Sequence, residues 1–357
     1  MGTTTRHLEG LRVLDLTIWR PGPYTTQLLA EQGADVLKVE PPGGDPMRSM
    51  PDLFDILGAG KRSIVLDLKT DEGRAECLRL AADADVFVES YRPGVAERLG
   101  VGYEAVRAVN PAIVYASVSG FGAFGPLAHL PGHDVNYLAY SGTLRPAGGQ
   151  PASPTIPLGD LSGGTAGAFA IAVACLGAKL HGRGERVDVS VTDVLATWVG
   201  PVGPVVMTGV DEPLNGVPGY GTFPTADGGF VGIGIMNEDH FWVGLCAALD
   251  LPEHAELPNR ERNARTKELN GQIAGIIADL TQADALARLW AHDVPASPIL
   301  DRDEMLRHPH FRERGAIVDR PDGRPSAGPI VRFEHHPGRP PHGAPAVGSG
   351  TAGWLDR

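Results

Sequence analysis

Two polar residues in the middle of the chain, and a third further along, have side chains suited to moving protons. His133 lies in segment 132–137, GHDVNY, and Asp160 follows 27 residues later in segment 159–164, GDLSGG. Glu238 comes directly before a stretch with helical character. Imidazoles and carboxylates can give and take protons near neutral pH, and a carboxylate can also attack a carbonyl carbon. The chemistry these residues could perform is therefore acid–base or nucleophilic catalysis.

Each of the three residues also has a purely structural interpretation. Asp160 precedes a glycine pair and the apolar run 166–178, so it could cap a helix or lie where a helix N-terminus stabilises an anion. His133 could hold a loop in place. Glu238 follows a predicted strand and could be an ordinary first-turn acid. The residues alone leave these alternatives open.

Several common catalytic and cofactor motifs are absent. The segment after the first predicted strand, 17–23, is TIWRPGP and does not match the glycine fingerprint of dinucleotide sites. Segment 58–63, GAGKRS, fails as a phosphate loop because an arginine follows the lysine. No G-x-S-x-G occurs, which excludes the usual serine-hydrolase elbow.

The composition is that of a globular protein of enzyme size. The chain has 357 residues, which at about 150 residues per domain predicts two domains. Apolar residues make up 42%, enough for a sizeable core. Lys and Arg total 31 against 43 Asp and Glu, giving a net charge of −12. Such an acidic chain is not expected to bind nucleic acid.

The cysteines, the histidines and the apolar runs argue against several other classes. The three cysteines are far apart with no CxxC pair, so we expect neither a zinc ribbon nor disulfides. Residues 1–10 lack a signal-peptide pattern. The run 166–178 is shorter than the roughly 20 residues of a membrane span, which predicts a buried helix and a cytoplasmic protein without a membrane partner. We expect no metal site, because the clustered histidines lie among Pro and Arg without a set of carboxylates: His308, His310, His335, His336 and His342.

Short apolar runs alternate with helical patterns, which predicts a parallel sheet covered by helices on both faces. Such sheets bind ligands at the carboxyl ends of their strands. The predicted strands are 12–16, 35–39, 63–68, 85–89, 112–117, 186–190 and 230–235. The predicted helices are 24–32, 70–82, 103–109, 166–179, a segment from about 193, 239–248 and parts of 252–290.

From about residue 8 to about residue 322 the chain resembles the class III CoA-transferase superfamily, also called CaiB/BaiF-like. The resemblance rests on LEGLRVLD at 8–15, GADVLKVE at 33–40, KRSIVLDLK at 61–69, YRPG at 91–94 and SGFG at 119–122. Within the superfamily, segment 132–137 matches the pattern G-H-D-I/V-N-Y of the 2-methylacyl-CoA racemases, and segment 159–164 matches G-D-x-x-G-G. These two matches place the chain nearest to the racemase branch.

The resemblance implies one of two reactions. A racemase removes and returns the α-proton of a 2-methylacyl-CoA thioester through an enolate, with His133 assisted by Glu238 on one face and Asp160 on the other. A class III CoA-transferase instead uses Asp160 as a nucleophile, forming an acyl anhydride and then an aspartyl-CoA thioester. Transferases generally lack the histidine at position 133, which favours the racemase. The enolate oxygen would need backbone N–H donors, for which those around Asp160 are candidates.

The resemblance also implies that coenzyme A is part of the substrate and that no separate cofactor is needed. We expect the CoA contacts to come from Lys38, Gly58, Ala59, Gly60, Lys61, Arg92, Asn136 and Tyr137. For Lys61 and Arg92 the alternative is an ordinary surface ion pair, worth under about 1 kcal/mol.

The implied fold is α/β: a Rossmann-like large domain, with a parallel sheet built from the N-terminal half and the end of the chain, plus a smaller α+β domain. The predicted boundaries are 1–190 for the first part of the large domain, 191–216 for a linker, 217–310 for the small domain and 311–357 for the return. Two chains would interlock as a homodimer, with Glu238 reaching the site from the partner subunit.

Two segments differ from the racemase pattern. Trp19 and Arg20 precede Pro-Gly-Pro where many racemases have small or apolar residues, and segment 40–48 is closer to the transferases. These differences concern the substrate more than the reaction class. The sequence leaves the acyl group open among bile-acid precursors, branched fatty acids, arylpropionates and steroid side chains.

Overall fold

The computed structural model describes residues 6–144, 153–199, 217–338, 343–350 and Trp354. The described residues form two compact units. The first comprises those within Met1–Leu144, Ser153–Val199 and Leu306–Arg357, and the second those within Gly200–Met305. Most of the predicted linker 191–216, and His342 of the histidine cluster, lie outside the described residues.

The first unit is built around a six-stranded sheet with every neighbouring pair parallel. Its strands are β1 (Arg12–Leu16), β2 (Asp35–Glu40), β3 (Arg62–Val65), β4 (Val86–Glu89), β5 (Val114–Ser119) and β6 (Arg186–Ser190). The order across the sheet is β3-β2-β1-β4-β5-β6. The direction of winding therefore reverses between β1 and β4, which is where doubly wound sheets open a crevice for ligands. The predicted α/β fold and its strands are confirmed, with shifts of a few residues at the ends.

Eight α-helices accompany this sheet within the described residues 6–144 and 153–199. They are α1 (Pro21–Glu31), α2 (Pro51–Leu57), α3 (Asp71–Ala82), α4 (Val95–Arg98), α5 (Tyr103–Val109), α6 (Asp134–Tyr140), α7 (Leu158–His181) and α8 (Val191–Val199). Two buried apolar clusters are formed with them. One includes Leu14, Leu37 and Phe87, and the other includes Val13 and Ile171. The central strands contribute to both clusters because both faces of a doubly wound sheet are covered.

Helix α7 differs from its prediction in length and burial. It has 24 residues and extends beyond the apolar run at both ends. By length and composition α7 could cross a membrane, so the sequence argument against a membrane span from the length of the apolar run does not hold. A single such helix is weak evidence for a membrane span, since the core helices of soluble proteins pass the same test. The expected burial is also wrong for one face, where four apolar side chains are more than half exposed: Phe169, Val173, Leu176 and Leu180.

The second unit is a smaller α+β assembly. A three-stranded antiparallel sheet is formed by β7 (Tyr220–Pro224), β8 (Phe230–Gly234) and β9 (Ala296–Pro298). The helices are α9 (Asp239–Ala248), α10 (Asn259–Ala264), α11 (Thr266–Ala278) and α12 (Gln282–Ala291). The helical stretch expected over 252–290 is thus three helices. Trp242, Leu245 and Ile273 belong to its buried core.

Within its described residues, 306–338, 343–350 and Trp354, the end of the chain packs onto the first unit without adding a strand to its sheet, contrary to the implied construction. After α13 (Arg302–Arg307) and α14 (Pro309–Glu313), β10 (Ile317–Asp319) and β11 (Pro325–Ala327) form a separate hairpin. Further on, Gly348 N–H donates to Ser63 Oγ at 3.0 Å, and Trp354 is buried beneath the Arg12 guanidinium. A tail rich in proline and glycine is poorly suited to a β-ladder, so it contacts the first unit through single residues such as these.

Candidate active site

A cavity of about 340 Å³ opens at the carboxyl ends of β1, β4 and β5. Loop residues following these strands line it, including Ile18, Ser90 and Gly120. His133 and Asp160 line the same cavity. The position agrees with the crevice expected at the reversal of strand order. The structure thus brings together two of the three predicted catalytic residues.

Asp160 is placed by the first turn of α7. Its backbone N–H donates to Asp134 Oδ1 at 2.9 Å, which ties α7 to the start of α6. The following glycines allow close packing, because a Cβ at Gly164 would lie 2.9 Å from the Pro21 carbonyl oxygen and one at Gly163 would lie 2.5 Å from Val191. The glycine pair in the motif therefore lets α1 and α8 approach the turn that carries the carboxylate. Since Asp134 occupies the Asp160 N–H, that group is not a free donor for an enolate oxygen.

The electrostatic surroundings of Asp160 suit it to proton transfer. Burial raises the pKa of Asp160 to about 6, with a further contribution from Asp134, while the Arg20 guanidinium acts in the opposite direction. A carboxyl with a pKa near 6 is accessible in both protonation states around neutral pH. It can therefore act as a base in one direction of a reaction and as an acid in the other.

His133 is held by the residues of its own motif. Its backbone N–H donates to Asn136 Oδ1 at 3.0 Å. Tyr137 donates its hydroxyl to the Gly132 carbonyl oxygen at 2.6 Å, and its ring fills the space over Gly120, where an added Cβ would lie 2.1 Å from it. The segment 132–137 thus fixes the loop that presents the imidazole. Asn136 and Tyr137 have these positioning contacts here, and their contact with CoA stays a prediction.

A family model described as CoA-transferase family III matches residues 8–351, nearly the whole chain. The chain belongs to CoA-transferase family III. Three relatives illustrate the range of this match. The chain is 34% identical over 345 residues to human alpha-methylacyl-CoA racemase, covering 91% of this chain and 86% of that protein. It is also 34% identical to the succinyl-CoA–D-citramalate CoA-transferase of Chloroflexus aurantiacus, covering 88% and 83%. A crystal structure of a CaiB/BaiF family protein from Brucella suis superposes with a TM-score of 0.83 at 27% identity, covering 97% of each chain.

The two kinds of relative match this family III enzyme equally well, so overall similarity does not choose between racemisation and CoA transfer. The choice depends on the residues at the cavity. The family resemblance predicts a role for Asp160 in both reactions but a role for His133 in racemisation alone. Under these predicted roles, replacement of His133 separates the two reactions.

Two of the predicted CoA contacts, Lys38 and Lys61, are buried in an ion network. Lys38 Nζ lies 2.7 Å from Asp45 Oδ2, and Lys61 Nζ lies 3.0 Å from Asp15 Oδ2. Although burial acts to raise it, the pKa of the Asp15 carboxyl is held well below its usual range by the two ammonium groups and by hydroxyl donors. Both lysines are thus engaged inside the fold, and a contact with CoA phosphates stays a prediction for each.

The other predicted CoA contacts are distributed around the first unit. Arg92 and Tyr137 line the cavity that holds His133 and Asp160. Gly58 follows α2, Ala59 is buried, and Gly60 lines a second cavity of about 420 Å³ together with Lys61. Arg92 is exposed, as a contact for a phosphate requires. Contact with CoA stays a prediction for each of these residues.

Glu238 belongs to the second unit, where it directly precedes α9. Its carboxylate accepts the Met236 backbone N–H at 2.9 Å, and this hydrogen bond, with others from the backbone, lowers the pKa of Glu238. Glu238 is therefore the N-cap residue and not an acid of the first turn, which is Asp239, and its carboxylate bonds the preceding loop without capping the helix. Assistance to His133 stays a prediction.

Sequence reasoning missed two residues next to the site, Ser90 and Glu89. Ser90 Oγ accepts the Ile18 N–H and donates to the Ile18 carbonyl oxygen, both at 2.8 Å, so it fixes a loop that lines the cavity. Burial raises the pKa of Glu89 to about 7. Glu89 ends the predicted strand 85–89, and Ser90 follows it. Polar residues at the carboxyl end of a parallel strand are the sequence signal that could have identified both.

Proposed function

We propose that this enzyme racemises 2-methylacyl-CoA thioesters by moving the α-proton. One side chain takes the α-proton, and the electrons of the C–H bond pass into the thioester carbonyl to give an enolate. The other side chain then protonates the α-carbon from the opposite face. His133, assisted by Glu238, acts on one face and Asp160 on the other, and their roles exchange with the direction of the reaction.

The observation that carries this proposal is the presence of His133 and Asp160 on one cavity. Inversion at a carbon by two bases requires two proton-carrying groups that reach the same atom. A carboxyl with a pKa near 6 and an imidazole can exchange acid and base roles near neutral pH. The identity to human alpha-methylacyl-CoA racemase and the match of segment 132–137 to the racemase pattern support the same reaction.

The proposal is tested by incubating one pure epimer of 2-methyldecanoyl-CoA with the enzyme and following the epimers by chiral chromatography. Both starting epimers are expected to reach the same mixture. A composition that stays at its starting value, with enzyme that binds the thioester, would contradict racemisation.

CoA transfer is the second candidate, favoured by the equal identity to a CoA-transferase and by an aspartate that could act as nucleophile. In that reaction the Asp160 carboxylate attacks the thioester carbonyl and expels CoA thiolate, giving an acyl aspartyl anhydride. The thiolate then attacks the aspartyl carbonyl of the anhydride, which releases the acyl group as a free carboxylate and leaves an aspartyl-CoA thioester. Treatment with hydroxylamine in the presence of acyl-CoA would inactivate such an enzyme by trapping the acylated aspartate. Under the racemase proposal we expect full activity to survive this treatment.

The raised pKa of Asp160 predicts a pH dependence that the two epimers share. Each direction of the two-base mechanism needs one of the pair His133 and Asp160 protonated and the other not, so both directions use the pair with a single proton. Below about pH 6 both groups carry a proton and neither can act as base, so kcat/KM for both epimers should rise with pH through about 6. Initial rates for each pure epimer between about pH 5 and 8 measure this rise.

The variant Arg20→Gln supplies the control for this profile. Arg20 opposes the rise of the pKa of Asp160, so its removal should move the rise in kcat/KM to higher pH for both epimers. Rates that do not change around pH 6 in the wild-type enzyme, or a profile that Arg20→Gln leaves in place, would show that Asp160 does not carry the proton.

We also propose that the enzyme is an interlocked homodimer, in which Glu238 of the partner subunit assists His133. The exposed apolar face of α7 supports a partner, because Phe169, Val173, Leu176 and Leu180 recur at helical spacing on one side of the helix. A second copy would cover this face and remove its apolar surface from water.

The dimer proposal predicts a mass of twice 37.6 kDa in light scattering for the wild-type chain. The double variant Phe169→Glu, Leu176→Glu should shift the protein toward single chains, since it places charges in an apolar contact. Val109→Glu, an exposed apolar residue at the end of α5, is the matched control and should leave the mass unchanged. A single-chain mass for the wild type, or binding to lipid vesicles through α7 instead, would refute the proposal.

A further inference from the structure

Trp19 has a backbone conformation that its side chain disfavours. Its φ of 62° lies in the left-handed region, which residues other than glycine and asparagine rarely adopt. The next residue, Arg20, is in the α conformation (φ −62°, ψ −48°) directly before Pro21, a position where proline disfavours that conformation. Two adjacent residues, of which Trp19 lines the cavity, thus hold costly conformations, which persist only where their surroundings impose them.

The contacts that impose these conformations hold the two residues before Trp19, which are Thr17 and Ile18. Ser90 Oγ binds both the N–H and the carbonyl oxygen of Ile18. The buried Lys38 Nζ donates to the Thr17 carbonyl oxygen at 2.7 Å. Thr17 in turn donates its backbone N–H to Asp15 Oδ1 at 2.9 Å. The ion network that holds Lys38 and Lys61 inside the fold therefore also fixes the loop that carries Trp19.

This loop places the indole of Trp19 beside the proposed catalytic histidine. Trp19 lines the cavity with His133 and Asp160, and 43% of its surface is exposed. Its ring lies 6.4 Å from the His133 ring, centroid to centroid, with the planes at 86°. Because the α-carbon of a substrate must lie between His133 and Asp160, a substituent on that carbon lies close to the indole.

We propose that Trp19 is a specificity-determining residue whose indole packs against an aryl substituent on the α-carbon of the acyl-CoA. This rests on the proposed function and names its substrate class, the 2-arylpropionyl-CoA thioesters. An indole is a rigid, flat wall that stacks on another aromatic ring in offset or edge-to-face geometry. A flexible alkyl chain gains no comparable ring contact and loses more conformational freedom when it is held there.

The experiment compares 2-phenylpropionyl-CoA with 2-methyldecanoyl-CoA on the wild-type enzyme and on Trp19→Leu and Trp19→Phe. Dissociation constants come from calorimetry and α-proton exchange rates from NMR in deuterated buffer. In Trp19→Leu the preference for the aryl substrate is expected to fall about 5-fold, the effect of losing one aromatic pair. Trp19→Phe should retain most of the preference because it keeps an aromatic face.

The ratio between two substrates, measured on one preparation, does not depend on how much of a variant is folded. Asp293→Gly is the control for backbone strain, because Asp293 also has a left-handed φ (57°) but lies in the second unit. It should leave the substrate preference unchanged. A preference in Trp19→Leu equal to that of the wild type would overturn the inference.

The two readouts separate the inference from the proposed function. If the wild-type enzyme binds both thioesters without exchanging the α-proton, racemisation is wrong, and a loss of aryl affinity in Trp19→Leu would still support the role of Trp19. If the wild-type enzyme exchanges the proton and Trp19→Leu changes neither ratio, only the inference about Trp19 is wrong.

Discussion

Replacement of Asp160 by Asn is expected to reduce racemisation in both directions by about 10³-fold, the usual contribution of a positioned acid or base. The amide has the shape of the carboxyl but cannot take the α-proton. Exchange of that proton with deuterated solvent should therefore be lost for the epimer whose proton faces Asp160. The other epimer should still exchange through His133, without inversion, because the group that would protonate the opposite face is gone.

The control for this variant is Asp193→Asn, which changes an exposed acid in the first turn of α8 away from the cavity. It should have wild-type rates. Full racemisation by Asp160→Asn would remove Asp160 from the mechanism, and with it both the racemase and the transferase assignments. Thermal unfolding of the two variants shows whether the loss of the Asp160 carboxylate has disturbed the turn.

Replacement of His133 by Gln is expected to give the complementary pattern. Racemisation should again fall by about 10³-fold, and exchange should now be lost for the epimer whose proton faces the imidazole. The loop of His133 is fixed through Asn136, which accepts the His133 backbone N–H, and through Tyr137. The His133 side chain takes part in the capping box at the start of α6, where the side chain of glutamine can also accept a backbone N–H. A normal melting temperature with lost exchange is therefore the expected combination.

His133→Gln also separates the two family III reactions, because the transferase mechanism assigns no step to an imidazole. His129→Gln, an exposed histidine on the same loop, is the matched control and should retain full activity. Retention of full exchange by His133→Gln with both epimers would show that the two-base assignment is wrong. Loss of CoA transfer in a variant that never exchanged a proton would point to a different role for the imidazole.

The sheet and the place of the site were predictable because they depend on patterns within short segments. Apolar runs separated by helical stretches fix a parallel sheet, and the segments around His133 and Asp160 are each local motifs. The structure then adds what spacing cannot give: Asp134, in the motif of His133, accepts the backbone N–H of Asp160. That hydrogen bond joins two segments 26 residues apart, and only the folded chain brings them together.

The features that the sequence did not reveal depend on distant contacts. Lys38 and Lys61 look like exposed phosphate ligands in the sequence, yet Asp45 and Asp15 bind them inside the fold. The length of α7 was underestimated because Leu158–Thr165, rich in glycine, is poor helix-forming sequence that tertiary packing against α1 and α8 makes helical. The left-handed conformation of Trp19 is likewise set by Ser90, which lies on another strand end.

The central claim is that this enzyme moves the α-proton, and proton NMR in deuterated buffer tests it most directly. Each epimer of a 2-methylacyl-CoA is incubated with the purified enzyme, with no carboxylic acid added as CoA acceptor. We predict that the α-proton signal disappears from both epimers while the thioester stays intact. A signal that persists in both, followed by CoA transfer once a carboxylic acid is added, would contradict the account and make Asp160 a nucleophile.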